Sequence, residues 1–178
     1  AGSVGPLGKP LAPIGRITEE EAREAFAETI RGLLDGEVDL IILETFIQAD
    51  EARIALEEVR KQTQTMPVVA LMSFTDEGKT VFGNKPEEIV RLLSSKGADV
   101  VGANCSVGPH KLRDVMQRML RVPGVPIACM PNAGLPELVG GRYMYLSSPE
   151  YMAKSLREFG AWGVGVIGGC CGTSAKHM

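Results

Sequence analysis

Short apolar runs and helical stripes alternate along this chain. Val38–Thr45 (VDLIILET), Pro67–Phe74 (PVVALMSF), Ala98–Cys105 (ADVVGANC), Val125–Asn132 (VPIACMPN) and Gly163–Cys170 (GVGVIGGC) are near-continuous apolar segments, and a shorter one opens the chain at Ala1–Val4. Runs of this length without strict alternation are the pattern of strands covered on both faces of a parallel sheet. The segments between them carry helical spacing. Thr18-Glu19-Glu20-Glu21 is a capping-box start with carboxylates in the first turn, and Phe26, Ile30, Leu33 and Leu34 then fall on one face. Ala52, Ala55, Leu56 and Val59 form a second stripe; Pro86 opens a third helix through Ile89, Val90, Leu92 and Leu93. Leu112, Val115, Met116, Met119 and Leu120 give the cleanest stripe, and Ser148-Pro149 begins a last helix through Met152, Leu156 and Phe159.

Six strands and five helices in alternation, with strands recurring roughly every 30 residues, predict repeated βα units and a parallel sheet. Two architectures fit: an open doubly wound sheet, for which six strands suffice, and a (β/α)8 barrel, which needs two more. Nothing marks a domain boundary. The Gly/Pro-rich stretch from Gly5 to Gly15 reads as a βα loop at the rim.

Composition narrows the function class. The 178 residues are 44% hydrophobic and 23% charged, the balance of a globular domain with a sizeable core. A net charge of -3 and no basic stripe argue against a nucleic-acid binder. No apolar run is long enough to span a membrane, and the N-terminus lacks a signal-peptide core. The 4 cysteines are too few for a disulfide scaffold and point to a reducing, cytoplasmic setting.

Three of those cysteines stand at or just past the ends of strand-like runs: Cys105 in Gly102-Ala103-Asn104-Cys105, and Cys170 with Cys171 in Gly168-Gly169-Cys170-Cys171-Gly172-Thr173. Active sites of parallel sheets lie beyond the C-terminal strand ends. Three thiolates on one rim would hold a zinc ion with one open position. A redox pair at Cys170-Cys171, or buried inert thiols, are the other readings. Glu44 ends an apolar strand, where a carboxylate needs a partner: a substrate group, or the start of the next helix. Asn104 and Asn132 fit either a site role or loop shaping. Cys129, between Ala128 and Met130, reads as core; His110 reads as a solvated first-turn residue and His177 as frayed at the chain end. The glycines from Gly2 to Gly8 lack the spacing of a phosphate loop.

The two cysteine segments resemble the zinc motifs of the homocysteine S-methyltransferase family. Ala1-Gly2-Ser3-Val4-Gly5-Pro6, Leu43-Glu44-Thr45-Phe46 and Met130-Pro131-Asn132-Ala133-Gly134-Leu135-Pro136 are similar to that family's other signatures, in the same order. The likeness is greatest to the homocysteine-binding domain of methionine synthases and of bacterial proteins that fuse it to a methylenetetrahydrofolate reductase. It implies an α/β (β/α)8 TIM barrel. The family's opening Asp-Gly strand and the Thr-Asn-Thr-Phe strand after it have no counterpart, so the six strands are expected to be the third to the eighth. Residues 1–178 would then be a single homocysteine-binding domain truncated at both ends. The resemblance further implies zinc held by Cys105, Cys170 and Cys171, homocysteine bound to it as thiolate, Glu44 at the substrate amino group, and methyl transfer giving methionine. The donor would be methylfolate, cobalamin, betaine or S-methylmethionine, with a fused reductase or folate domain as the partner. The alternatives are a non-catalytic zinc-binding fragment and a thiol redox protein.

Overall fold

Local capping sets the frame. In the computed structural model, which describes residues 1–178, Thr18 and Glu21 close a reciprocal capping box at the start of α1 (Glu19–Asp35). Pro86 and Pro149 stand in the first turns of α3 (Pro86–Ser95) and α5 (Pro149–Trp162), where a missing N–H costs nothing. α2 (Ala49–Gln62) and α4 (Pro109–Met119) complete the set. On α4 the predicted stripe is the buried face: Leu112, Val115, Met116 and Met119 are all buried.

The strands between them are β1 (Gly2–Val4), β2 (Ile41–Phe46), β3 (Val68–Met72), β4 (Val100–Asn104), β5 (Ile127–Met130) and, after a hairpin of β6 (Pro136–Val139) and β7 (Arg142–Tyr145), β8 (Val166–Ile167). Six of them form one sheet in the order β1-β2-β3-β4-β5-β8, every pairing parallel. The order never reverses, so there is no switch point of the doubly wound kind. Consecutive helices pack side by side along the sheet. This is the arrangement of six consecutive strands of a (β/α)8 barrel with the five helices between them, and it resolves the choice that strand count leaves open.

Register separates two faces. Ile41, Leu43, Phe46, Val68, Ala70, Met72, Val101, Ala103, Ile127 and Cys129 point to the helices and belong to one continuous buried core. Their alternates, Ser3, Ile42, Glu44, Val69, Leu71, Gly102, Asn104, Ala128 and Met130, share the other face. That face is concave. The Asn104 side chain on β4 reaches over β3 to the Thr45 backbone on β2, with Oδ1 accepting its N–H at 2.8 Å. Flat strands two apart are separated by about 9.5 Å, too far for this bond.

Cys105 lies just past the end of β4, with φ 60°, in keeping with its place at a strand end. Two details differ from the sequence expectation. The last strand is two residues long, because Gly168 and Gly169 lead into a loop rather than extending it. The β6–β7 hairpin is additional. Its Gly140-Gly141 turn has the chemistry of a tight hairpin, but seven of its eight strand residues are exposed, so no core-facing pattern announces it.

Candidate metal centre

The parallel sheet delivers every βα loop to one rim, and the three cysteines meet there. Cys105 follows β4; Cys170 and Cys171 follow β8. The Cys105 and Cys171 sulfurs are 3.7 Å apart and the Cys170 and Cys171 sulfurs 3.9 Å. All three lie within 4.8 Å of one another. Four ligands set tetrahedrally at zinc–sulfur bond length have sulfurs about 3.8 Å apart, so the thiols stand close to the edges of such a tetrahedron without moving the backbone. All four cysteines are free thiols.

Backbone bonds hold the two halves of the cluster. Cys105 N–H donates to Met130 O at 3.1 Å, and Cys170 N–H to Pro131 O at 2.9 Å, so the end of β5 ties both segments. Asn132 accepts the Cys171 N–H on Oδ1 at 3.1 Å, and Ala133 N–H donates to Cys171 O at 2.9 Å. Thr173 closes the turn by donating its hydroxyl to Cys170 O at 2.6 Å. Asn132 is therefore the residue that sets the Cys171 backbone. Asn104 presents its amide nitrogen to Cys170 Sγ at 4.0 Å while donating to Thr45 Oγ1 at 2.9 Å.

Burial, reinforced by the Cys105 thiol, pushes the Cys170 thiol up to about 12. His177, the nearest imidazole in sequence, is engaged elsewhere: Nδ1 accepts the Ser174 N–H at 3.0 Å and Nε2 bonds Ser147 O at 3.1 Å. It is thus fixed rather than frayed. His110 is exposed in the first turn of α4, and Cys129 is buried, its thiol raised to about 12 by desolvation.

Glu44 sits at the same end of the sheet, half-buried on the concave face. It does not cap α2, whose N-cap is Gln48. The Ser3 hydroxyl donates to Glu44 Oε1, leaving the second oxygen without a protein partner. Next to it Thr45 adopts φ 65°, a left-handed kink held by Asn104, and β2 shifts register between Leu43 and Phe46. Ser3, Thr45 and Thr173 escape sequence reasoning because small hydroxyls at strand ends are common. Tyr145 does as well; its ring packs against the Gly172 turn beside Cys171.

No helix is long and apolar enough to cross a membrane. A family model described as homocysteine S-methyltransferase matches residues 1–178. The methionine synthases of Mycobacterium leprae and Mycobacterium tuberculosis are 31% and 32% identical over 182 aligned residues, covering 99% of this chain and 15% of their own length. Among solved structures, the homocysteine methyltransferase MmuM of Escherichia coli superposes in its apo form with a TM-score of 0.75 at 23% identity, over 97% of this chain and 57% of that one. Its metallated form gives 0.68 at 27% identity, over 98% and 57%. The chain spans less than a fifth of the length of the methionine synthases it matches, yet the family model runs along it from end to end: this chain belongs to the homocysteine S-methyltransferase family.

Proposed function

We propose that this chain is the homocysteine-binding part of a methyltransferase that converts homocysteine to methionine, with Cys105, Cys170 and Cys171 as zinc ligands. The observation that carries the reading is the three-thiol cluster, whose sulfur spacings fit a tetrahedral zinc with one position left over. Zinc bound there supplies a Lewis acid that lowers the pKa of a substrate thiol and leaves a thiolate at neutral pH.

The chain's own residues do the rest. Glu44, with one oxygen held by Ser3 and the other open, accepts the substrate ammonium and turns the amino acid so that its thiol points along the concave face to the cysteines. Asn132 fixes the Cys171 backbone, and Asn104, the neighbour of Cys105, is anchored to Thr45, so the sulfurs are preorganised. The substrate sulfur loses its proton to solvent and forms the S–C bond to the methyl carbon. The donor leaves with the electron pair that bound the methyl group. Both outer edges of the sheet, at β1 and β8, lack a partner strand among residues 1–178. We place these residues in a barrel completed by two further βα units, in a cytoplasmic protein whose methyl donor is bound by another domain.

The test is metal content with and without substrate. Purified under reducing conditions, the protein should hold one equivalent of zinc, and its zinc-edge absorption should change when homocysteine is added. Zinc well below one equivalent, with ready formation of a Cys170–Cys171 disulfide, would replace this reading with the redox one.

A further inference from the structure

Two buried polar side chains at the start of α2 are only half used. Of the buried carboxylates on that helix, Glu58 meets Arg23 and Lys61 at 2.7 Å each, whereas Glu51, 3% exposed, meets no cation. Its Oε1 accepts the Leu7 N–H at 2.7 Å, and its second oxygen has no protein partner. Gln48, 9% exposed, accepts the Leu11 N–H on Oε1 at 3.1 Å and leaves its amide nitrogen unused. Both line a cavity of about 110 Å³ between the Gly5–Gly15 loop and the start of α2. No side-chain oxygen or nitrogen is sealed off without a partner, so the free Glu51 oxygen opens on this cavity. Pro6, Pro10, Ile47 and Phe82 wall it, and Lys9, itself exposed, lines it as well.

We infer that this cavity binds a small α-amino acid as its zwitterion, with the ammonium on Glu51 and the carboxylate on Gln48 and Lys9. A buried carboxylate without a cation costs free energy that a bound ammonium recovers. Burial already holds the Glu51 carboxyl above the usual carboxylate range, against the lowering effect of the Leu7 N–H. The Gln48 amide is a donor and Lys9 a cation, so an amine alone would leave both unmatched. The volume has room for roughly eight water-sized groups, enough for a short apolar side chain against Ile47 and Phe82 and too little for a nucleotide. The cavity shares no residue with the cysteine cluster or with Glu44, so its occupancy does not depend on zinc.

The experiment titrates L-valine into the isotope-labelled protein, beside isobutylamine, which lacks the carboxylate, and isovalerate, which lacks the ammonium. Valine should shift the amide resonances of Leu7 and Leu11 saturably, because their N–H bonds end on Glu51 and Gln48, and should bind more tightly than either fragment. Glu51→Gln keeps an acceptor for Leu7 and should weaken valine about 10-fold. Lys9→Ala should weaken valine about 3-fold and leave isobutylamine unchanged. Glu44→Gln should alter neither. Absence of a saturable shift, or equal affinities for valine and isobutylamine, would overturn the inference. So would binding lost in Glu44→Gln and kept in Glu51→Gln, which would place the amino acid at Glu44 instead.

Discussion

Asn104 grips Thr45 twice, accepting its backbone N–H on Oδ1 at 2.8 Å and donating from Nδ2 to its hydroxyl at 2.9 Å. Asn104 is 1% exposed. The pair links β4 to β2 across the concave face, and so links the Cys105 segment to the Glu44 segment. Asn104→Ala should destabilise the fold by about 1–3 kcal/mol, because the Thr45 N–H keeps its burial and loses its acceptor. Urea denaturation of the reduced, metal-free protein measures it; a change within 0.3 kcal/mol, about the error of the method, would show that the link is dispensable.

Cysteine replacements separate ligands from core. Cys105→Ser, Cys170→Ser and Cys171→Ser should each drop zinc below one equivalent with little effect on metal-free stability. Cys129→Ser should do the reverse: full zinc, and about 1–3 kcal/mol lost from placing a hydroxyl in an apolar strand. Metal analysis beside denaturation curves checks all four.

Gly102 on β4 admits no side chain. A Cβ there would lie 2.1 Å from the Ala128 carbonyl oxygen. Gly102→Ala should cost about 3 kcal/mol through the strand displacement it forces. Since the displacement is transmitted to Cys105, zinc affinity should fall with it.

Acid should loosen the helical layer before the sheet. Glu57 on α2 is disfavoured by burial, but its bonds to Arg23, Lys96 and Arg53 outweigh this and bring its carboxyl to about 2. A folded value below the unfolded 4.5 means a contribution that is complete above about pH 4.5 and lost as pH falls toward 2. After solvent screening it is about 1 kcal/mol. Glu57→Gln should flatten stability against pH in that window and leave it unchanged in slope near neutrality.

Glu44→Gln removes the charge that would meet an ammonium and keeps the Ser3 contact. In the complete methyltransferase it should raise KM for homocysteine about 10-fold with kcat little changed, and leave zinc content untouched. An unaltered KM would remove Glu44 from the substrate site.

The βα alternation was legible because strands buried on two faces and helices buried on one leave different periods, as in PVVALMSF against Leu112–Met119. The cysteine segments were legible as motifs. Their meeting on one rim was legible too, from the strand ends they occupy; the hairpin that stands between β5 and β8 in the chain was not. Tyr145 was invisible because its partner is a glycine turn, which imposes no pattern on the residues around it. The kink at Thr45 was hidden as well: a β-branched residue with φ 65° contradicts its own propensity and exists because Asn104 holds it.

The thiols of Cys105 and Cys171 are 66 positions apart along the chain, and no local turn can bring them together. The intervening polypeptide must lay down β5, turn the hairpin and dock α5 before the last two cysteines arrive, so the closure entropy of that long loop is met by packing alone. Metal capture by these thiols would then be a late event in folding, with the ion a clasp on a finished sheet. Zinc should slow the opening of the C-terminal third far more than it speeds the assembly of the whole.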